Sequence, residues 1–264
     1  MKTNKLKIFI CLLLTVCGIS SCGKDKLDKK GFQVANHESE NTLNASAAAL
    51  HPDSVVLELS PRSILLTGMP EYRLTTIYKV NTKKDGTRFL GSDSYHIRYD
   101  EEGYGAGNQW NFHYLPGFEA LSGYNLLNVS HYDLRTEKQK SFFDHPVLIK
   151  TLYFPSYQQD TLNHRPLNRD FFMVTVYDED TNKDGRLDMR DLRRMYHFDK
   201  DAQNPRLLIP ASYSVLKSDY DPANDYFYIY AVLDENKNGQ HDVGEPTHIF
   251  WIDLKDPRRV GRMF

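Results

Sequence analysis

Residues 171–180 and 225–234 carry one pattern twice, and this repetition narrows the folds open to the chain more than any other feature. Phe171-Phe-Met-Val-Thr-Val-Tyr-Asp-Glu-Asp180 aligns without a gap on Asp225-Tyr-Phe-Tyr-Ile-Tyr-Ala-Val-Leu-Asp234, 54 positions on. The match continues through Gly185 and Gly239 to Met195-Tyr-His-Phe-Asp199 and Ile249-Phe-Trp-Ile-Asp253. A looser copy ends at His131-Tyr132-Asp133-Leu134. Each unit reads as a strand, an Asp-rich loop, then a strand closed by an apolar–Asp pair. A fixed period of this size is the mark of arrays whose units bury their apolar faces against their neighbours.

The strands are legible from alternation. Ser54–Leu59, Arg73–Val80, Tyr95–Tyr99, Asn125–Leu134, Phe171–Tyr177 and Tyr226–Leu233 alternate apolar and polar residues between Gly, Pro, Asn and Asp. With 17 Tyr and 14 Phe the chain leans to strand formers. Met189–Met195 is the best short helix candidate, and no longer stretch holds a 3.6-residue period. The expected fold is therefore all-β, built of antiparallel meander repeats across 51–264. Its units resemble propeller blades, with room for about four, and the alternative is a β-sandwich containing two similar hairpins.

The repeated loops carry the chemistry. In 180–191, oxygen side chains stand at positions 1, 3, 5, 9 and 12 (Asp180, Asn182, Asp184, Asp188, Asp191), with Gly185 at position 6. In 234–245 the same positions hold Asp234, Asn236, Asn238, Asp242 and Glu245, with Gly239 at position 6. As such a loop curls, alternate side chains converge on one point and the glycine takes the sharp turn. If an Asp or Asn fills each position one time in ten and Gly ~7% of the time, the pattern arises on the order of 10⁻⁶ per register. Both stretches resemble the EF-hand loop, the first most of all that of dockerin-type modules. The resemblance implies two calcium sites, with backbone carbonyls of Arg186 and Gln240 at position 7 as further ligands. Leu187, at position 8, would pin the first loop to the core; His241 stands in its place in the second. Strands flank both loops, so the likeness is to the loop and not to helix–loop–helix. An oxygen-only ligand set suits calcium rather than zinc or copper. The bland alternative is an Asx-rich hairpin turn without metal. Asn81–Gly86 has a turn glycine but Lys83 at position 3, and reads as a tight hairpin without metal.

At the N-terminus, Lys2, Lys5 and Lys7 precede an apolar run from Ile8 to Val16, too short for a stable membrane span. Gly18-Ile-Ser-Ser-Cys22-Gly23 follows. Small residues directly before a Cys resemble the lipobox of bacterial lipoproteins, with Ile19 where Leu is usual. The resemblance implies a signal peptide over 1–21, cleavage before Cys22, lipidation of Cys22 by several acyl chains such as palmitate, and a membrane partner through that anchor. It places the protein in the bacterial cell envelope, at the outer membrane. Lys24-Asp25 resembles the tract that some bacterial groups use to send lipoproteins to the cell surface. Residues 22–50 read as the lipidated Cys and a flexible tether, polar and without a packing period. Cys11 and Cys17 lie in the removed segment, which leaves no disulfide or Cys-based metal site in the body.

A net charge of −2 excludes a strongly basic nucleic-acid binder. No hydrolase or nucleotide-binding motif follows the signal, and no catalytic residue is nominated. Three functions stay open: a calcium-stabilised, membrane-tethered binding or structural protein that engages a partner at a loop face; a surface glycan-binding lipoprotein, requiring exposed Trp or Tyr in line on one face; and a hydrolase on a propeller-like scaffold. The first is favoured, because it alone rests on nameable residues.

Overall fold

The computed structural model describes residues 30–34, 57–95 and 115–264. Cys22 and its flanks, all of 35–56, the Gly103–Gly107 run and Trp110 lie outside them. In chain order the strands are β1 (Phe32–Gln33), β2 (Leu59–Leu66), β3 (Tyr72–Thr82), β4 (Arg88–Leu90), β5 (Asp93–Tyr95), β6 (Phe118–Gly123) and β7 (Leu126–Asp133). Then come β8 (Lys138–Ser141), β9 (Leu148–Pro155), β10 (Asp160–Leu162), β11 (Arg165–Leu167), β12 (Phe171–Tyr177) and β13 (Arg186–Leu187). The last are β14 (Arg194–Asp199), β15 (Arg206–Leu207), β16 (Tyr213–Asp221), β17 (Tyr226–Leu233), β18 (Thr247–Asp253) and β19 (Val260–Arg262). The fold is all-β, every pairing is antiparallel, and the described residues include no helix.

One four-strand meander recurs three times: β2-β3-β7-β8, β9-β12-β14-β15 and β16-β17-β18-β19. The 54-residue offset maps β12 onto β17, β14 onto β18 and β15 onto β19. The apolar–Asp pair closes the third strand of each unit. Asp133, Asp199 and Asp253 each accept a backbone N–H in the following turn, from Arg135 (2.8 Å), Gln203 (2.9 Å) and Lys255 (3.0 Å). An Asx side chain substitutes for a backbone acceptor there and starts the hairpin to the fourth strand. Three units, rather than about four, fill the described chain because insertions take up the remainder. β4 pairs with β3, β5 and β6 extend the middle sheet beyond β9, and β10-β11 forms a separate hairpin.

The sheets stack face to face in an open series. Tyr78, Leu74, Val129 and Phe142 of the first meander pack on Leu152, Phe172, Val174 and Phe198 of the second. Phe171, Met173 and Met195, from the opposite face of that second sheet, pack on Phe227, Ile229 and Phe250 of the third. This placement explains the two sequences that align. β12 is buried at every residue because both its faces are covered, so it reads as a continuous apolar run. β17 alternates because only one face is covered: Phe227 and Ile229 point in, Tyr226, Tyr228 and Tyr230 out. Each fully buried Phe stabilises the stack by roughly 1.5–3 kcal/mol.

A buried ion pair, for which the sequence offers no motif, ties the second sheet to the third. Arg169, just before β12, donates to both carboxylate oxygens of Asp225 (2.7 and 3.0 Å), to the Leu254 carbonyl (2.9 Å) and to that of Pro116 (3.2 Å). Tyr220 donates to the same carboxylate at 3.0 Å. Paired and fully hydrogen-bonded, the two charges escape the penalty that either would incur alone.

Three expectations need correction. Met189–Met195 is a turn running into β14, not a helix. Leu192 and Met195 are indeed buried, but a turn followed by a strand satisfies that spacing as well. The strand expected over Ser54–Leu59 starts at Leu59 and runs to Leu66. Part of the presumed tether is docked: β1 pairs with β13, Phe32 opposite Leu187 and Gln33 opposite Arg186.

Candidate functional site

Both Asp-rich loops link the second and third strands of their meanders, and both curl in the same way. In 180–191, Asp180 accepts the N–H of Asp184 (3.1 Å) and Gly185 (2.8 Å) on its two carboxylate oxygens. Asn182 accepts from Asp184 N–H (3.0 Å), and Asp184 from Arg186 N–H (3.0 Å). Asp191 accepts from Thr181 (2.9 Å), Asn182 (3.3 Å) and Asp188 (2.8 Å). The 234–245 loop repeats this bond for bond. Asp234 takes Asn238 (3.1 Å) and Gly239 (3.0 Å), Asn236 takes Asn238 (2.9 Å), and Asn238 takes Gln240 (2.9 Å). Glu245 takes Glu235 (3.0 Å), Asn236 (3.5 Å) and Asp242 (3.0 Å). Position 4 (Lys183, φ 58°; Lys237, φ 59°) and position 6 (Gly185, φ 80°; Gly239, φ 74°) are left-handed in both. The first and twelfth carboxylates thus close each loop on its own backbone.

The centres differ. In the first loop, Arg190 bridges Asp184 (2.5 Å) and Asp188 (2.8 Å). In the second, the side-chain amides of Asn236 (2.9 Å) and Asn238 (2.6 Å) donate to Asp242. Positions 5 and 9 therefore converge in both, on a guanidinium in one and on each other in the second. With these partners in place, the described residues contain no group of three His, Cys, Asp or Glu side chains gathered as metal ligands. The donor set still suits a hard cation: it is all oxygen, and the Arg190 that pairs with it is half exposed. An amide rotation would turn the Asn oxygens inward. Burial would raise the Asp188 carboxyl, but Arg190 and the Arg190 backbone N–H outweigh it and hold the group below its ordinary value. Burial dominates at Asp191 and pushes it up, against backbone N–H donors. Asp178 stands outside the loop and accepts from Tyr196 (2.6 Å) and Arg194 (3.2 Å).

The first loop is held from two sides. Leu187 is buried with Leu127, Leu148 and Tyr177, and Phe32 of the N-terminal arm packs on that cluster. Val34 donates its N–H to the Gly185 carbonyl (3.0 Å), and Gly31 donates to Asn125 Oδ1 (2.8 Å). A Cβ on Gly31 would lie 2.2 Å from the Leu187 oxygen, so only glycine fits there. On its other side, Thr181 Oγ1 donates to the Gly239 carbonyl (2.6 Å), which brings the two loops into contact. Sequence reasoning missed both contacts.

A second feature lies on the outer face of the third sheet. Tyr226, Tyr228 and Tyr230 stand in line along β17, half-buried. Trp251 of β18 stacks on Tyr226, with ring centres 5.3 Å apart at 13°. Lys217 Nζ lies 4.2 Å from the Tyr230 ring centre. Gly261 leaves room beneath Trp251, since a Cβ there would sit 2.4 Å from the ring.

No protein-family model and no curated protein matches the chain. The functional reading accordingly rests on this geometry.

Proposed function

We propose that this chain is a lipid-anchored bacterial envelope protein whose β body is stabilised by two calcium ions in the 180–191 and 234–245 hairpins. It acts as a binding or structural protein. The observation that carries the reading is the identical wiring of the two loops, which persists although positions 5 (Asp184, Asn238) and 12 (Asp191, Glu245) differ. Asp180, Asn182, Asp184, Asp188 and Asp191, with the Arg186 carbonyl, would hold one ion. Asp234, Asn236, Asn238, Asp242 and Glu245, with the Gln240 carbonyl, would hold the other. Bound calcium would replace Arg190 in the first centre and the amide donors in the second, relieving carboxylate repulsion.

The docked arm gives the metal a mechanical role. Cys22 and Gly31 are nine residues apart. At most ~3.6 Å per residue, they span roughly 30 Å. A lipid on Cys22 would then hold the first loop close to the membrane surface, with the strain of the tether falling on the β1–β13 pairing. Calcium in that loop stiffens the strand to which the arm is paired.

Calorimetric calcium titration of the chelator-treated protein tests this, with melting curves at both ends. Two sites are expected. At a hundredfold excess over Kd each ion adds about 2.7 kcal/mol, or roughly 5–10 °C in a domain of this size. Asp184→Ala and Asn238→Ala should each remove one site, and amide exchange at Phe32–Val34 should slow with calcium. Binding and melting untouched by both substitutions would sink the reading.

The aromatic row favours a second reading, a glycan-binding surface lipoprotein. Sugar rings stack on tyrosine and tryptophan faces, and the half-buried Tyr226, Tyr228, Tyr230 and Trp251 stand side by side on one face of the sheet. Tyr228→Ala should abolish glycan binding there without changing calcium binding.

A further inference from the structure

Lys150, near the start of β9, stands between two cavities. One, of about 190 Å³, is walled by Lys30, Ser94, Ser122, Tyr124, Tyr177 and, on the side of the first loop, Met189. The other, also about 190 Å³, opens between the second and third sheets beside Thr151, Thr175, Arg193, Lys217 and Ser218. Each is far larger than the ~10–15 Å³ of comparable volume that one water needs. Lys150 lines both. Lys30, Lys150 and Arg193 thus bring three cationic side chains to this pair of cavities, while the Lys217 ammonium lies over Tyr230 on the outer face, and no Asp or Glu lines either cavity among the described residues. In a chain with 35 acidic and 33 basic residues, that segregation needs a reason.

The cations are held in place. Arg193 donates to the carbonyl oxygens of Val215 (2.5 Å) and Leu216, which fixes its guanidinium at the mouth between the sheets. Lys30 arrives on the docked arm, next to the glycine that only fits bare. Ser94 and Ser122 are directly paired across β5 and β6, so their hydroxyls lie on one side. Lys150 is left without a carboxylate partner among the described residues. Although Lys150 is exposed to solvent, the partial desolvation of its ammonium and the neighbouring charges of Lys30 and Arg193 lower its pKa. Like charges crowded around a recess with no counter-charge attract an anion into it.

We propose that these two cavities, which share Lys150 as a wall, form a binding site for an oxyanion group: phosphate, sulfate or carboxylate. Lys150 sits at its centre, Lys30 and Arg193 flank it, and the Ser94 and Ser122 hydroxyls serve as neutral donors. Lysine suits this role as a compact charge with three rotatable donors. The group can arrive as a free inorganic ion or as the acid of a saccharide, whose ring Tyr124 and Tyr177 would contact.

The test uses the full chain in a non-ionic detergent, once with chelator and once with calcium. Sodium phosphate, sodium sulfate, a uronic-acid oligosaccharide and a neutral oligosaccharide of equal length are titrated in calorimetrically. Lys150→Gln should weaken binding about fivefold or more, the loss expected for one charge contact near 4 Å in solvent. Lys30→Gln should weaken it less, and Lys138→Gln, on an exposed stretch of β8, not at all. Saturation should raise the Lys150 ammonium pKa, followed by NMR of the side chain. Equal affinity for the inorganic ions and the oligouronate identifies a free-ion site. Tighter oligouronate binding with a silent neutral chain identifies a sugar acid. The proposal is overturned if no acidic probe binds, or if Lys150→Gln behaves like Lys138→Gln. Running both calcium conditions keeps this outcome separate from any failure of the calcium sites.

Discussion

The two Asp-rich loops share a backbone circuit and differ in everything around it. The first offers four carboxylates, and Arg190 supplies an internal counter-charge. The second offers three, and its centre is satisfied by amide donors. The first has its position-8 residue, Leu187, buried against the arm, whereas His241 at position 8 of the second is exposed. In turn, the second leans on the first through Gly239 and Thr181. The lesson is that the ligand pattern dictates the curl and the surroundings dictate its energetics. Loop one is a hub, holding the arm on one side and loop two on the other, while loop two depends on it.

The turn glycines give the sharpest break between them. A Cβ at Gly239 would lie 1.9 Å from the Thr181 carbonyl oxygen, whereas at Gly185 it would meet nothing within 4 Å. Both residues are left-handed, so alanine carries about 1–2 kcal/mol of backbone strain at either. Only at Gly239 must the main chain of the other loop also yield, adding roughly 1–3 kcal/mol of overpacking. Urea unfolding should therefore show Gly239→Ala destabilised by about 2–5 kcal/mol and Gly185→Ala by about 1–2 kcal/mol. Equal losses would mean that the loops do not bear on each other.

Acid should act on the scaffold and spare the difference between the loops. His131 lies between Tyr72 (ring centres 4.6 Å apart) and Phe172 (6.0 Å), with Nε2 beside the Lys200 carbonyl. Burial lowers its pKa, against the raising effect of that carbonyl, and burial lowers the pKa of His197 too. A histidine whose folded pKa is depressed binds its proton first in the unfolded chain. Its stabilising contribution is whole above the unfolded value near 6.5 and is lost as pH falls from there toward the folded pKa. Between pH 6.5 and 5.5 the protein should lose up to about 1–2 kcal/mol in total, and His131→Gln should flatten the slope. The loss should be the same in chelator and in calcium. A calcium increment that vanished inside this window would place titrating groups in the loops themselves.

How much of this was legible depended on how local the information was. The strands β3 and β17 follow from alternation, β12 from its run of apolar and β-forming residues and the Gly86 turn from its turn residues, each a local signal, and the repeat follows from comparing such stretches. The burial of Leu187 followed from its position in the loop. The docking of Gly31–Val34 did not, because a single Phe in a polar stretch gives no period and its partner lies more than 150 positions away. β2 was displaced because Pro61 and Arg62 interrupt its alternation; a register shift between Pro61 and Ile64 absorbs them. The cationic recess draws Lys30, Lys150 and Arg193 from three distant segments, so no motif could announce it. Arg169 and Asp225 were hidden for the same reason.

The smallest expected effect concerns Arg190 alone. Its guanidinium meets Asp184 and Asp188, positions 5 and 9 of the first loop, and makes no contact with the second. If calcium occupies that centre, Arg190 competes with it, and its removal should help the ion while slightly loosening the empty loop. Being half exposed, it is a weak competitor, since solvent screens its charge. Arg190→Gln should therefore tighten calcium at the first site by about two- to fivefold and leave the second unchanged. Chelator-treated protein should melt slightly earlier than the parent. A weaker first site would assign Arg190 the opposite role, as a brace that holds Asp184 and Asp188 in ligand position. The two loops would then differ in how they are preorganised rather than in what fills them.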